Sequence, residues 1–231
     1  MSGMLAQRLE TEELMDDPAL PEATYREVLA DLARVNRATL AYRPTLAFLE
    51  RALAGRDSFR LLDVGYGQGD MLRRIAQWAE ANGKTAELVG VDLNPNSAVV
   101  AREATPAGLP ISYHTGDYAD LLGGSWDVVV SSLVAHHMSR EELVLFMRFM
   151  EAEARAGWFI NDLHRHAVSY SGYPLLAWAA RWHPIVRADG RTSIARSYRP
   201  AEWPALLAEA GVEGQRIERY FPFRLCVSKT R

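Results

Sequence analysis

The stretch Leu61-Leu62-Asp63-Val64-Gly65-Tyr66-Gly67-Gln68-Gly69 constrains this chain more than any other. An apolar run over Arg60–Val64 predicts a short buried strand. The amphipathic residues Met71, Leu72, Ile75 and Trp78 predict a helix that Asn82-Gly83 closes. Glycines between a strand and a helix let the backbone turn tightly and approach a ligand without side-chain clash. A unit of this kind needs parallel neighbours to bury both faces of its strand, so the rest of the chain must supply further strand–helix pairs.

It does so. Glu87–Leu93 reads as a second strand, and Asn94-Pro95 opens a helix with asparagine as cap and proline at the first position. Ile111–His114 is a third strand, and Trp126–Ser132 a fourth with three consecutive valines. Ser139 and Glu142 make a capping box for a helix ending near Gly157. Trp158–Leu163 is a fifth strand; a helix over Pro200–Ala210 and strands at Arg216–Tyr220 and Arg224–Ser228 close the chain. The expected fold is α/β, a mostly parallel, doubly wound, Rossmann-like sheet with ligands at the carboxyl ends of its strands.

Two regions stand outside the alternation. Residues 1–57 read as a helical lid: Pro21 starts a helix carrying Val28, Leu29, Leu32 and Val35, Pro44 interrupts, and Leu46, Leu49 and Leu53 lead to a cap at Gly55. Residues 164–199 form an aromatic, arginine-rich insertion on the acceptor side, with Tyr170, Tyr173, Trp178 and Trp182. Insertions at a strand's carboxyl end are where substrate preference is built. With the core at 58–163 and the closing elements at 200–231, the expectation is one domain.

The glycine loop disfavours one ligand class. A dinucleotide fingerprint requires its third glycine at position 70, which is Asp. A carboxylate on that helix N-terminus repels a pyrophosphate and suits a cationic, phosphate-free ligand. Asp92, at the end of the second strand, can accept both ribose hydroxyls of an adenosine. Asp117, in Gly116-Asp117-Tyr118, can accept an adenine amine with Tyr118 against the ring. A formal net charge of −3 argues against a nucleic-acid partner. The single cysteine, Cys226, excludes an intramolecular disulfide, and the acidic N-terminus does not resemble a secretory signal. No uncharged run is long enough to span a bilayer, so the expected location is cytoplasmic.

In order and spacing, Leu-Asp-Val-Gly-x-Gly-x-Gly, Gly-Val-Asp-Leu-Asn-Pro, Gly-Asp-Tyr and Trp-Asp-Val-Val-Val-Ser-Ser-Leu-Val-Ala-His-His-Met resemble the class I S-adenosylmethionine (SAM) dependent methyltransferases. The likeness is strongest to the branch acting on ubiquinone and menaquinone precursors and other small molecules. Leu14–Pro18 and Leu32–Arg37 resemble bacterial methyltransferases of aromatic polyketide-like products. The resemblance implies seven strands with the last antiparallel, and SAM as cofactor. It also implies that Asp63, Gly65, Gly67, Asp92 and Asp117 hold the cofactor. Tyr66 departs from the small residue usual at its position and is expected to shape the methionine pocket. Leu93 and Ser131, at two strand ends, are expected to line the cofactor, and Arg43 to meet its carboxylate by a bidentate pair.

Ser131-Ser132-Leu133-Val134 stands where an amine-methylating Asn-Pro-Pro-Tyr would be, and Cys226 lies in the last strand, far from a nucleophile's place. A small acceptor, aromatic or quinone- or polyketide-like and methylated on oxygen or carbon, is therefore expected. An anionic or carrier-bound acceptor is the alternative that the insertion's arginines suggest. Four of the six histidines follow the fourth and fifth strands. His137 and His164 are the candidates for proton transfer or acceptor orientation, with Asp162 able to orient a histidine. An NAD-dependent oxidoreductase and a non-catalytic SAM-fold binding protein are the competing readings.

Overall fold

The computed structural model describes residues 5–231. Seven strands, β1 (Ser58–Val64), β2 (Thr85–Asp92), β3 (Ile111–Thr115), β4 (Val128–Ser132), β5 (Gly157–Leu163), β6 (Arg216–Tyr220) and β7 (Arg224–Thr230), form one sheet in the order β3-β2-β1-β4-β5-β7-β6. The first five are mutually parallel, and β7 runs antiparallel to both of its neighbours. The order reverses between β1 and β4, which opens a crevice at their carboxyl ends.

Side-chain alternation divides the core between the two faces. Leu62, Val129 and Ile160 meet Phe146, Met150, Trp203 and Leu206 from α5 (Arg140–Glu153) and α8 (Trp203–Ala210). Their neighbours Leu61, Val128, Val130 and Phe159 meet Phe48, Leu49, Leu72 and Ile75 from α2 (Tyr42–Ala52) and α3 (Asp70–Ala81). The three valines of β4 are buried because a central parallel strand has helices on both sides.

Local signals set the helix ends. Asn94 accepts from Asn96 N at the start of α4 (Pro95–Ala104), and Ser139 and Glu142 close the capping box of α5. In the lid, α1 spans Glu22–Ala38, with Pro21 just ahead of it. Pro44 does not interrupt: it lies in the first turn of α2, where a helical N–H has no partner to lose. That helix is capped at Leu53, and Gly55 lies beyond the cap. The insertion folds as a helical pair, α6 (Ala167–Ala179) and α7 (Pro184–Arg196). Among the described residues no helix is long and apolar enough to cross a membrane.

Candidate functional site

A cavity of about 1120 Å³ occupies the crevice at the carboxyl ends of the strands. Its floor is the glycine loop and the ends of β1, β2 and β4; its roof is the segment 12–39, α6 and α7.

The loop geometry depends on its glycines. Gly65 has φ +77°, and a Cβ there would lie 2.3 Å from Val134 Cγ2; at Gly69, with φ +73°, one would lie 2.3 Å from Tyr113 Oη. Any side chain at either position would strain the turn and collide with a packed neighbour. The turn directs Gly67 N–H to Asp92 Oδ2 at 2.9 Å, while Asp92 Oδ1 accepts from Asn94 N at 2.9 Å. Burial nevertheless raises the Asp92 pKa from its ordinary value, against these two bonds. Asp70 is bound by the lid: its Oδ2 accepts from Tyr42 Oη at 2.8 Å and Asn36 Nδ2 at 3.0 Å.

Asp63 carries the largest unmet demand. It is 1% exposed, lines the cavity, and neither carboxylate oxygen has a partner among the described residues. Burial, then the negative charges of Asp70 and Asp92, push its pKa well above the ordinary value. A buried carboxylate of this kind calls for a cationic ligand.

Other expected cofactor residues are distributed unevenly. Gly65, Tyr66, Gly67, Asp92, Leu93, Asp117 and Tyr118 line the cavity together with Asp63. The Tyr66 ring also belongs to the core, 4.9 Å from that of Tyr113. Asp117 caps the short turn Tyr118–Leu121 by accepting from Ala119 N, so one of its oxygens is engaged. Tyr118 packs on Phe146 and Phe149. The structure does not bring Arg43 or Ser131 to the cavity wall. Arg43 is exposed on the outer side of the first turn of α2, where Pro44 and Thr45 take the buried side. Ser131 is buried and donates to Val64 O at 3.0 Å, leaving its neighbour Ser132 to line the cavity.

Both candidate histidines line the cavity. His164 is half-buried, and burial, then the charge of His166, lowers its pKa, so the ring is neutral near pH 7. His137 places Nδ1 2.9 Å from Asp16 Oδ2. Asp162 orients a different histidine, His136, whose Nδ1 lies 2.7 Å from Asp162 Oδ1. The carboxylates of Asp162 and Glu13 raise His136 to about 9 despite the opposing effect of its burial.

His136, Glu13 and Arg224 escaped the sequence reading as site residues, whereas Asp162 was read there as able to orient a histidine. His136 and Asp162 had a signal: β4 and β5 pair in parallel, with Ser132 opposite Asn161, so residues just past the two strand ends become neighbours. Glu13 and Arg224 had none, because their roles arise from pairings across most of the chain. Arg224 begins β7 opposite Leu163, is 2% exposed and lines the cavity; its Nε and one terminal nitrogen lack partners among the described residues. Of the insertion's aromatics, Tyr173 lines the cavity and donates to Val186 O at 2.8 Å. Trp182 is buried behind it, and Trp178 is 64% exposed and does not line the cavity. The Arg191 guanidinium lies 4.3 Å over the Tyr170 ring, as expected of arginines resting on aromatics.

Comparison with known proteins fits this geometry. Residues 61–156 match the family model described as a methyltransferase domain. No curated protein matches the chain in sequence. Among solved structures, magnesium protoporphyrin IX methyltransferase from Synechocystis, with bound S-adenosylhomocysteine (SAH), is 18% identical, with 93% of this chain and 90% of that one covered at a TM-score of 0.58. Human N-acetylserotonin methyltransferase in complex with SAM is 14% identical, with 91% and 56% covered at 0.63. A plantazolicin methyltransferase in complex with a triazolic desmethyl analogue and SAH is 15% identical, with 91% and 97% covered at 0.64. At these identities the likeness is one of fold.

Residues 61–156 thus match a methyltransferase domain, and the sheet around them has the fold of class I SAM-dependent methyltransferases. The site fits SAM: the unpaired Asp63 carboxylate is matched to a cationic amino-acid moiety.

Proposed function

We propose that the enzyme methylates an oxygen or carbon of a small aromatic, polyketide- or quinone-like acceptor held under its helical roof. The observation that carries this reading is the size and division of the cavity. Its volume of about 1120 Å³ exceeds the roughly 300–1,000 Å³ of a site for one ligand. One end is acidic, with Asp63 and Asp92. Away from these, the wall is lined by Leu133, Leu163, Val168, Leu176 and Phe223, which suit a flat apolar molecule.

In this reading Asp92 accepts the ribose hydroxyls, Asp63 balances the cofactor's ammonium, Leu93 and Tyr118 border the base, and Asp117 accepts from its amine through its free oxygen. Gly65 and Gly67 keep side chains out of the way, while Tyr66 supports the loop from below. When bound, SAM supplies an electrophilic methyl group on a sulfonium. The chain then has to hold the acceptor atom in line with that methyl, exclude water and remove a proton. His164, neutral and facing the cavity, takes the proton from an acceptor hydroxyl. His137, tied to Asp16, orients the acceptor. Residues 12–39 and 164–199 close over both and exclude water.

A second reading of the acceptor has its own support. The buried, incompletely paired guanidinium of Arg224 at the cavity wall favours an acceptor with an acidic group, free or carrier-bound. Incubation with methyl-labelled SAM and matched phenol, enol and carboxylate panels tests both. Labelled phenols or enols support the first reading. Transfer confined to acidic acceptors supports the second, and a chain that binds SAH but labels neither panel contradicts both.

A further inference from the structure

The N-terminal segment meets the loop after β4 at a cluster the cofactor does not require. Glu13 and His136 are 5% and 2% exposed, and His137 lies beside them at the cavity wall. His136 Nε2 lies 3.4 Å from Glu13 Oε1, and His137 Nε2 lies 3.9 Å from Glu13 Oε2. One ligand atom from each of the three residues falls within 4.8 Å of the others. Glu13 Oε1 also accepts from Ser193 Oγ at 2.8 Å.

The opposite edge of each ring is already taken. His136 Nδ1 lies 2.7 Å from Asp162 Oδ1, and His137 Nδ1 lies 2.9 Å from Asp16 Oδ2. A carboxylate on Nδ1 holds the proton there and raises the basicity of Nε2, the support that metal-ligating histidines commonly have. The two Nε2 lone pairs then face a shared carboxylate, which is repulsive unless a cation lies among them. A proton on His136 answers only half of this demand: it serves Oε1 and leaves His137 at 3.9 Å from Oε2, beyond hydrogen-bond reach. A dication answers both. Tetrahedral bonds of about 2.0–2.1 Å place ligand atoms roughly 3.3–3.4 Å apart. The His136 Nε2–Glu13 Oε1 distance of 3.4 Å already matches, and the other ligand atoms, all within 4.8 Å of one another, draw in around the ion. Charge agrees in sign: Glu13, Asp16 and Asp162 contribute three negative charges against the two guanidinium groups of Arg8 and Arg196, which leaves the cluster negative without an added cation.

We propose that Glu13, His136 and His137 form a binding site for a divalent transition-metal ion, zinc before others, with Asp162 and Asp16 holding the two rings from behind. Three protein ligands leave a fourth position, and since all three residues line the cavity it opens towards bound water or an acceptor oxygen. The ion also ties the N-terminal segment to the loop after β4. The metal claim does not rest on the methyl-transfer reading.

The test is a calorimetric titration of untagged, metal-stripped protein with zinc alone, in competition with a chelator, with the SAH-induced thermal shift as a check that each variant is folded. The expected result is one zinc per chain, affinity at least a hundredfold lower in Glu13→Gln and His137→Ala, and about 10–100-fold lower in Asp162→Asn. A folded wild-type chain that takes up no stoichiometric zinc overturns the proposal, as does zinc affinity unchanged in Glu13→Gln and His137→Ala. The wild-type stoichiometry decides the question even if a variant fails to fold. Failure to bind SAH would count against the cofactor assignment and leave the zinc stoichiometry to stand or fall on its own.

Discussion

The half of the cavity that we assign to the cofactor and the half that we assign to the acceptor are built differently. In the first, the backbone does most of the work: a glycine turn between β1 and α3, an aspartate at the end of β2, and a capped turn after β3 lie on consecutive strand ends. In the second, long-range side-chain pairs assemble the wall. Glu13 meets His136 and Ser193, and Asp16 meets His137. Arg196 donates to the carbonyl oxygens of His136, His137 and Thr11. The first half is fixed by local chain geometry, and the second exists only once three distant segments have met. Damage to one half should therefore register in a measurement that damage to the other leaves alone.

The largest expected effect is on turnover. His164→Gln should lower methyl transfer by about 10²–10⁴-fold, the range for a positioned general base, with SAH affinity within a few-fold of wild type. Loss of SAH binding in this variant would show that the two halves are not separable.

Asp92→Ala should do the reverse. Each ribose hydrogen bond to the carboxylate is worth about 1.5–3 kcal/mol, so losing both weakens SAH by roughly a hundredfold or more in a calorimetric titration. Unchanged affinity would move the adenosine to another part of the cavity.

Asp63→Asn sharpens the comparison, because here stability and affinity should move in opposite directions. The Asp63 pKa is raised in the folded state by burial and by Asp70 and Asp92. Below its unfolded-state pKa both states are protonated and the group contributes nothing. As pH rises towards the folded-state pKa, the unfolded chain ionises first, and the folded protein loses relative stability. The ligand-free Asn variant should therefore melt higher than wild type at neutral pH, with the gain fading towards acid pH. It should also bind SAM about tenfold more weakly. A ligand-free variant that melts lower at neutral pH would mean that a native partner satisfies the carboxylate.

The smallest effects separate two aromatics of the roof. Tyr173→Ala should cut acceptor turnover several-fold while leaving SAH affinity nearly unchanged, and Trp178→Ala should change neither, since its ring is turned to solvent. Equal losses from both would make the roof a single structural unit.

The same division explains what the sequence disclosed. Strand–helix alternation, the glycine turn, the Asn94 cap and the Ser139–Glu142 box are local patterns, and the sheet follows from them. The ends of β1 and β2 were legible for the same reason, as was the position of His164. Arg43 and Ser131 were misplaced because the face of a first helical turn, or of a buried strand end, is chosen by packing. Glu13 and Arg224 were invisible because their burial at the cavity wall depends on segments that meet only in the folded chain. The insertion's aromatics were legible in composition but not in direction, so Tyr173 and Trp178 looked equivalent until α6 and α7 paired.

The most direct test is thermal denaturation of the wild-type chain with SAM, SAH or NAD at about a hundredfold excess over the dissociation constant of a binding ligand. Bound cofactor then adds about 2.7 kcal/mol, which for a chain of this size raises Tm by roughly 5–10 °C. The account predicts that rise with SAM and SAH and none with NAD. Stabilisation by NAD with no response to SAM or SAH would contradict it.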